Sequence, residues 1–346
     1  MQTSDNKKPL IGLTLAQLKQ VAQAAGLKPF AAKQMAKWLY EKRVTDIEQM
    51  TDLSKNARNF LMEHYSVGRY APVASAVSSD GTAKYLFQNS TDHAVETVMI
   101  PDKERATLCV SSQAGCKMNC SFCMTGKQGF HGNLTAAEIM NQILSVPESK
   151  ELTNIVFMGM GEPLDNLETV MTVIEILTSD YGLGWSPKRI TVSSIGKLAE
   201  LHTLIENTKV HIAISLHSPF PDERRSLMPV ERAYPMTEII RLLKQYDFAH
   251  QRRLSFEYIL WHNVNSDYKH AEALARLLRG MDCRVNLIRF HAIDGAESLT
   301  PATMQEAESF RDYLNSKGIT ATIRASRGED IDAACGMLAG KHHNNN

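Results

Sequence analysis

Apolar positions recur at helical spacing through the first seventy residues. Leu15, Leu18 and Val21 share one face behind Thr14, and Gln17 three residues on completes a capping box that starts a helix. Gly26 marks its stop and Pro29 a restart. The pattern predicts a second helix over residues 30–42, with Met35, Trp38 and Leu39 inward and Lys33 and Lys37 on the other face. A third opens near Ser54 and buries Ala57, Phe60 and Leu61. At residue 69 the period changes. Residues 84–88, 94–100 and 107–111 read as strands, with Asp92 and His93 in the turn between the first two.

From residue 107 to about 324 strand and helix signals alternate. Strands are expected at 107–111, 154–158, 189–193, 210–216, 254–260 and 284–290, with a further one at 319–324. Helices are expected near 135–146, 166–178, 196–206, 236–248, 267–279 and 302–316, the first on a Thr135–Glu138 capping box. This βα repetition predicts an α/β protein with a parallel sheet and right-handed crossovers. It fits a partial (β/α)6 barrel better than a closed eight-stranded one. The expected division is a small helical unit at 1–68, a β-bridge at 69–106, the barrel at 107–324, and a C-terminal segment at 325–346. In such barrels chemistry sits on loops at the carboxyl ends of the strands.

Composition narrows the class. At 346 residues, 43% hydrophobic and 22% charged, the chain reads as an ordinary globular protein. It has no apolar run long enough for a transmembrane helix, and Met-Gln-Thr-Ser-Asp-Asn-Lys-Lys at the start lacks an apolar signal core. Six cysteines in so long a chain are no disulfide scaffold, and the expected compartment is the reducing cytoplasm. The Lys-His-His-Asn-Asn-Asn end reads as a solvated tail. Net charge is zero, which argues against a general nucleic-acid coat. Residues 1–70 nevertheless hold eleven basic against six acidic side chains. That excess suits either docking on an anionic partner such as RNA or a merely solvated lysine-rich face.

The sharpest chemical signal is CxxxCxxC at Cys116, Cys120 and Cys123. Thiolates hold zinc or iron–sulfur clusters. Three thiolates on a 4Fe-4S cube leave one iron open to an amine and a carboxylate. A zinc knot needs a fourth ligand, usually from a second pair, and no second pair occurs; His131 is the nearest candidate. One strand later comes Met158-Gly-Met-Gly161-Glu162-Pro, where glycine admits a close ligand and Glu162 suits an ammonium group. The next strands end in Ser193-Ser194 and in Ser215-Leu216-His217, groups suited to a ribose or a carboxylate. Arg224-Arg225, Arg252-Arg253, Lys103 with Arg105, and Arg324 with Arg327 are candidates for phosphates or for surface ion pairs. On composition alone Cys109, Cys283 and Cys335 read as small buried residues.

Taken together these stretches resemble the RlmN-type radical S-adenosylmethionine (SAM) adenine methyltransferases, which modify carbon 2 of adenine in 23S rRNA and tRNA. The likeness runs over essentially the whole chain. It rests on Val95–Pro101 as Val-Glu-Thr-Val-Met-Ile-Pro, Thr107–Cys116, the Met-Gly-Met-Gly-Glu-Pro-Leu run, Ser-Leu-His217, and Arg-Gly-Glu-Asp-Ile-Asp-Ala-Ala-Cys335-Gly-Met-Leu. The resemblance implies a radical SAM barrel with one 4Fe-4S cluster on Cys116, Cys120 and Cys123, two SAM per turnover, and an electron donor of flavodoxin or ferredoxin type. It implies that Cys335 carries the methyl group, that Glu96 takes the ring proton, and that Cys109 attacks the thioether, leaving a Cys109–Cys335 disulfide. It assigns SAM contacts to Gly161, Glu162, Ser193, Ser215, Leu216, His217 and His291. The last departs from the family's usual Asn, since Asn286-Leu-Ile-Arg-Phe-His291 stands where Asn-Leu-Ile-Pro-x-Asn is common. Two related readings stay open at this point: the carbon-8 adenine methyltransferase of the resistance family, and a radical SAM enzyme acting on a protein or small molecule.

Overall fold

The computed structural model describes residues 7–250 and 252–339. The polar start of the chain and the His-His-Asn tail lie outside the described residues.

Lys8–Pro9 (β1) pairs in parallel with Tyr65–Ser66 (β2) and so ties the two ends of the helical unit together. Between them, Leu15–Ala24 (α1) starts on the expected capping box and buries Leu18, Val21 and Ala22. Gly26 follows with φ +68°, a left-handed conformation that lets the chain leave the helix. Ala31–Ala36 (α2) does not continue as one α-helix: Lys37–Glu41 forms a π turn. The wider turn takes up an extra residue and rotates the positions that follow. Leu39 and Tyr40 are therefore buried, whereas Trp38, expected inward, is half-buried with its indole N–H donating to Asp52 Oδ1 at 2.6 Å. Lys55–His64 (α3) is capped by Ser54 and buries Ala57 and Leu61; Phe60 stays half-exposed, packed on the His64 ring.

An antiparallel meander follows: Ala74–Val77 (β3), Ala83–Gln88 (β4), Ala94–Asp102 (β5) and Arg105–Cys109 (β6). Gln113–Gly115 (β7), Met124–Lys127 (α4) and Phe130–Asn133 (β8) then form a small unit in which β7 and β8 pair. The alternation comes next: Ala136–Ser145 (α5), Asn154–Phe157 (β9), Leu167–Thr178 (α6), Ile190–Ser194 (β10), Leu198–Asn207 (α7) and His211–Ser215 (β11). It continues through Pro221–Leu227 (α8), Met236–Leu243 (α9), Leu254–Leu260 (β12), Tyr268–Leu277 (α10), Arg284–Arg289 (β13), Met304–Ser316 (α11) and Thr320–Ile323 (β14). One ten-stranded sheet results, in the order β14-β13-β12-β11-β10-β9-β6-β5-β4-β3. From β6 through β14 every neighbour is parallel and successive, which is the wrapping of a barrel left open. Strands β3–β5 hydrogen-bond onto the same sheet through β6. Pairs too short to show a period, β1 with β2 and β7 with β8, had no sequence signal; nor did β3, α4 or α8.

Two buried amides join the layers. Gln142 on α5 accepts from Thr97 Oγ1 at 2.6 Å and from Ser111 N at 2.9 Å, and donates to Ser111 O at 3.0 Å. Asn166 donates to Ser112 O at 3.0 Å and to Leu134 O at 2.8 Å. Arg69 staples the helical unit to α5, donating to Arg43 O, to Leu144 O at 2.5 Å and to Ser145 Oγ at 3.3 Å. Replacing Arg69 with Met should leave two half-buried carbonyls unpaired and lower unfolding free energy by about 2–3 kcal/mol, read as a drop in the urea midpoint. An unchanged midpoint would show the staple to be dispensable.

Candidate active site at the carboxyl ends of the strands

The three-cysteine loop leaves β6 and ends at α4. Asn119 has φ +50°, and Gly115 has φ +70° with Gly129 O where its Cβ would stand, 1.9 Å away. The loop is thus folded tightly enough that Cys116 and Cys120 are buried and Cys123 is half-buried at the N-cap of α4. Burial pushes the Cys116 thiol up to about 12 and Cys120 further, and Cys123 adds to both shifts. Thiols so placed become thiolates only by gaining cationic partners. Among the described residues no three His, Cys, Asp or Glu side chains converge as a single bound ion requires. A cube that takes each thiolate on a different iron needs neighbours rather than convergence, and three soft thiolates are its donor set. The residues fit that cluster.

Beyond β9 the chain turns at Gly159 and Gly161. A Cβ on Gly161 (φ +100°) would lie 2.5 Å from the Gln113 side chain, and one on Gly159 2.7 Å from Ser111 Oγ. Glu162 is buried, and its two carboxylate oxygens accept from Leu164 N and Ile195 N, each at 3.0 Å. Burial lifts its pKa to about 7 against the pull of Ser194 and these amides. Its carboxylate therefore braces the β9 and β10 turns against each other, work that the sequence had not suggested. Ser193 and Ser215 stand half-buried near the ends of β10 and β11, and Leu216 is buried. His217 has φ +58° and is buried against Phe122 of the cysteine loop, ring centroids 4.8 Å apart, and against Trp261 at 6.2 Å. Its Nδ1 accepts from Ile259 N at 3.1 Å, and burial lowers its pKa to about 3, so the ring is neutral with Nε2–H as donor.

The arginine candidates divide. Arg224 is fully buried, donating to Leu216 O at 3.1 Å, to Ser215 O at 3.0 Å and to Glu231; it fixes the His217 turn and is closed to phosphate. Arg252 is likewise spent on Ile205 O and Thr208 O. Arg225 pairs with Asp222 at the surface, and Arg327 lies 3.9 Å from Asp102. Cys283 is buried just before β13, as packing.

Glu96, on β5, is buried beside Lys84 of β4, with Nζ and Oε1 3.2 Å apart. Lys84 was not singled out by the sequence. The register Lys84↔Val98 and Leu86↔Glu96, which the fold sets, puts Lys84 and Glu96 diagonally on one face. Glu96 Oε2 accepts from Ala339 N at 2.7 Å, and Lys84 Nζ donates to Asp332 O at 3.3 Å. The C-terminal segment therefore lies across this pair. It also joins the cysteine loop: Met124 N donates to Gly336 O at 2.8 Å and Thr125 Oγ1 to Leu338 O at 2.7 Å. A cavity of about 180 Å³ opens between Lys84, Glu96, Met124, Ile293 and Met337. Cys335 is exposed to solvent; crowding by neighbouring groups raises its thiol pKa, with Arg324 opposing and Glu257 and Cys123 adding. Cys109, at the end of β6, is buried and pushed up to about 12; Cys335 is among the groups that raise it and Arg324 lowers it. Arg324 thus lowers the pKa of both thiols while pairing with Glu257 at 3.7 Å. His291 is committed to the same segment, Nε2 to Ser326 Oγ at 2.7 Å and Nδ1 to Glu329 Oε1 at 3.1 Å.

An open, successively wound barrel carrying a three-thiolate loop after its first parallel strand defines a radical SAM enzyme. Residues 110–277 match the Radical SAM superfamily, and residues 8–67 match the Ribosomal RNA large subunit methyltransferase N-terminal domain. A "Probable dual-specificity RNA methyltransferase RlmN" of Bacteroides fragilis is 59% identical over 333 residues, covering 96% of each chain. The "Dual-specificity RNA methyltransferase RlmN" of Marinobacter nauticus is 39% identical, covering 99% of this chain and 95% of its own. The crystal structure of a radical SAM methyltransferase from Sphaerobacter thermophilus superimposes with a TM-score of 0.89 at 39% identity, covering 96% of this chain and all of that one. The chain belongs to the RlmN family of radical SAM RNA methyltransferases. Membership brings with it a 4Fe-4S cluster and SAM.

Replacing Cys116, Cys120 or Cys123 with Ala should abolish bound iron and sulfide in anaerobically purified protein. Stoichiometric zinc without iron in the unaltered protein would contradict the assignment.

Proposed function

We propose that this protein methylates carbon 2 of adenine in 23S rRNA and in tRNA, using a methyl group carried on Cys335. The observation that carries the reading is the convergence of the C-terminal segment on Glu96, with Cys335 near Cys109 and the cysteine loop. An aromatic C–H carbon is a poor nucleophile, so direct methyl transfer from SAM fails and a radical route is required. When bound, the cluster supplies the single electron that cleaves SAM. Cys335 takes a methyl group from one SAM, losing its thiol proton. Its S-methyl group gives up a hydrogen atom to the radical made from a second SAM and joins the ring. Glu96 then receives the proton from carbon 2, with the Lys84 ammonium beside its Oε1 and the Ala339 amide fixing Oε2. Loss of that proton and of one electron, which the bound cluster would take back, restores the aromatic ring. Cys109 as thiolate attacks the Cys335 sulfur. The S–CH2 bond breaks with its electron pair on the exocyclic carbon, that carbon takes up a proton to become the methyl group, and a Cys109–Cys335 disulfide forms. The charge of Arg324 favours the thiolate each needs.

Gly161, Ser193, Ser215, Leu216 and His217 form the proposed SAM-binding ends of the strands. His291 reaches SAM only by leaving Ser326 or Glu329. The basic helical unit would dock the RNA, and a small flavodoxin or ferredoxin type protein would deliver electrons, all in the cytoplasm. No helix among the described residues is long and apolar enough to cross a membrane.

Three outcomes test this. Nucleoside mass spectrometry of cells lacking the protein should show loss of 2-methyladenosine; loss of 8-methyladenosine would mark the carbon-8 reaction instead. Cys335→Ala should keep its iron and lose methylation, and S-methylcysteine should be found at Cys335 in the intact protein. Cys109→Ala should accumulate RNA joined to Cys335, seen as shifted protein on a denaturing gel. Free protein with normal turnover would remove Cys109 from the reaction, leaving only a packing loss of about 1 kcal/mol.

A further inference from the structure

Beside the Glu96 cavity, two imidazoles from different strands lie face to face. His93, at the turn into β5, and His131, on β8, have ring centroids 4.4 Å apart and planes 18° from parallel. A main-chain carbonyl orients each ring: His93 Nδ1 donates to Thr91 O at 2.8 Å, and His131 Nε2 donates to Gln128 O at 3.1 Å. His93 Nε2 and His131 Nδ1 have no protein partner among the described residues. The rings line a cavity of about 330 Å³ with Gly115, Met160 and Ala339. Ala339 also lines the Glu96 cavity and donates its N–H to Glu96, so the two cavities share a wall. Next to His131, Phe130 is 37% exposed and carries the Lys117 ammonium 4.2 Å from its ring centre.

A metal does not account for this group. Near-parallel rings do not aim two lone pairs at one point, and among the described residues no third ligand converges on them. What the group offers is a flat π surface, an acceptor edge, a second exposed ring and a cation. Proteins hold unpaired nucleotides with these components. An adenine turned out of its stack also leaves a neighbouring base with one face uncovered, and that neighbour must sit beside the pocket that takes the target.

We propose that the His93–His131 stack is a subsite for the RNA base adjoining the target adenine, replacing the stacking partner the neighbour loses. The proposal rests on the reading of this chain as a methyltransferase of an unpaired adenine. It is tested by binding the iron-loaded enzyme to a short loop RNA and to the same RNA made abasic at the 5′ or the 3′ neighbour. The unaltered protein should prefer the complete RNA to one of the abasic forms by about tenfold. The double variant His93→Ala, His131→Ala should bind both RNAs alike, at the affinity the unaltered protein shows for the abasic one. His131→Phe should restore the preference, because it keeps the π face. A double variant that retains the tenfold preference, or a His131→Phe variant that loses it, overturns the proposal. Normal methylation with no effect of either neighbour also overturns it, whereas absence of any RNA methylation by the unaltered protein overturns the underlying reading.

Discussion

The ion pair of Lys84 and Glu96 is the constraint on which the arrangement of the site depends. Two charges removed from water are costly unless each is held by close, well-directed partners. Here they are 3.2 Å apart, and the outer valences are met by Asp332 O and Ala339 N of the chain's last described stretch. The meander cannot bury its acid without the lysine beside it, and the pair is sealed only when the C-terminal segment lies over it. On the proposed chemistry a fold requirement and an active-site requirement thereby coincide. Removing either charge would take from the other a close partner of opposite sign in a buried setting.

The same economy holds at the ends of the parallel strands. The residues that shape the turns are internal: Glu162 braces β9 against β10, Arg224 gathers the carbonyls of Ser215 and Leu216, and Asn265 donates to His217 O at 2.7 Å. Because these groups are buried and satisfied, the turns that carry them are rigid before any ligand arrives. Rigid turns hold a ligand without the entropy loss of ordering loops. His217 in φ +58° fits this view, since the strain of a left-handed histidine persists only where surrounding bonds over-determine it. Polar groups continue past β11: Glu257 on β12 accepts from Asn286 at 2.7 Å and faces Arg324 beyond β14 at 3.7 Å.

Much of this was legible in the residues. The βα alternation shows as short strand-like runs between stretches of helical period, the capping boxes at Thr14 and Thr135 mark helix starts, and the strand-end location of the cysteine loop follows from its place in that alternation. What was not legible lies in two kinds of place. Strands of two to four residues, such as β1, β2, β7 and β8, carry no period, and their pairing is decided by the chain around them. Second, the duty of a charged side chain depends on what tertiary contact surrounds it. Arg224 and Arg252 read in sequence as candidates for phosphates or for surface ion pairs and are carbonyl clamps in the fold, while Lys84 looks like a strand lysine and is the partner of Glu96. The π turn at Lys37–Glu41 belongs with these, since nothing in the sequence pattern announced it; Trp38 within it is half-buried against the core.

The C-terminal segment shows how a reactive thiol can be presented without being free. Asp80, its pKa drawn down to about 2, accepts from Gly328 N at 3.0 Å, and Asp330 accepts from Ser79 N at 3.1 Å. His291 holds Ser326 and Glu329 upstream, and Gly336, Leu338 and Ala339 are tied downstream to α4 and Glu96. Cys335 lies between these two anchorages and is exposed, bracketed by Ala334, buried, and Gly336 with φ +87°. Motion of the thiol is then limited to the short span between anchors. On the proposed chemistry the one sulfur must meet a methyl donor, a ring carbon and Cys109 in turn. A short arm pinned at both ends suits that sequence better than a loose tail, because each meeting costs a small rearrangement of a few backbone dihedrals rather than the ordering of a whole segment.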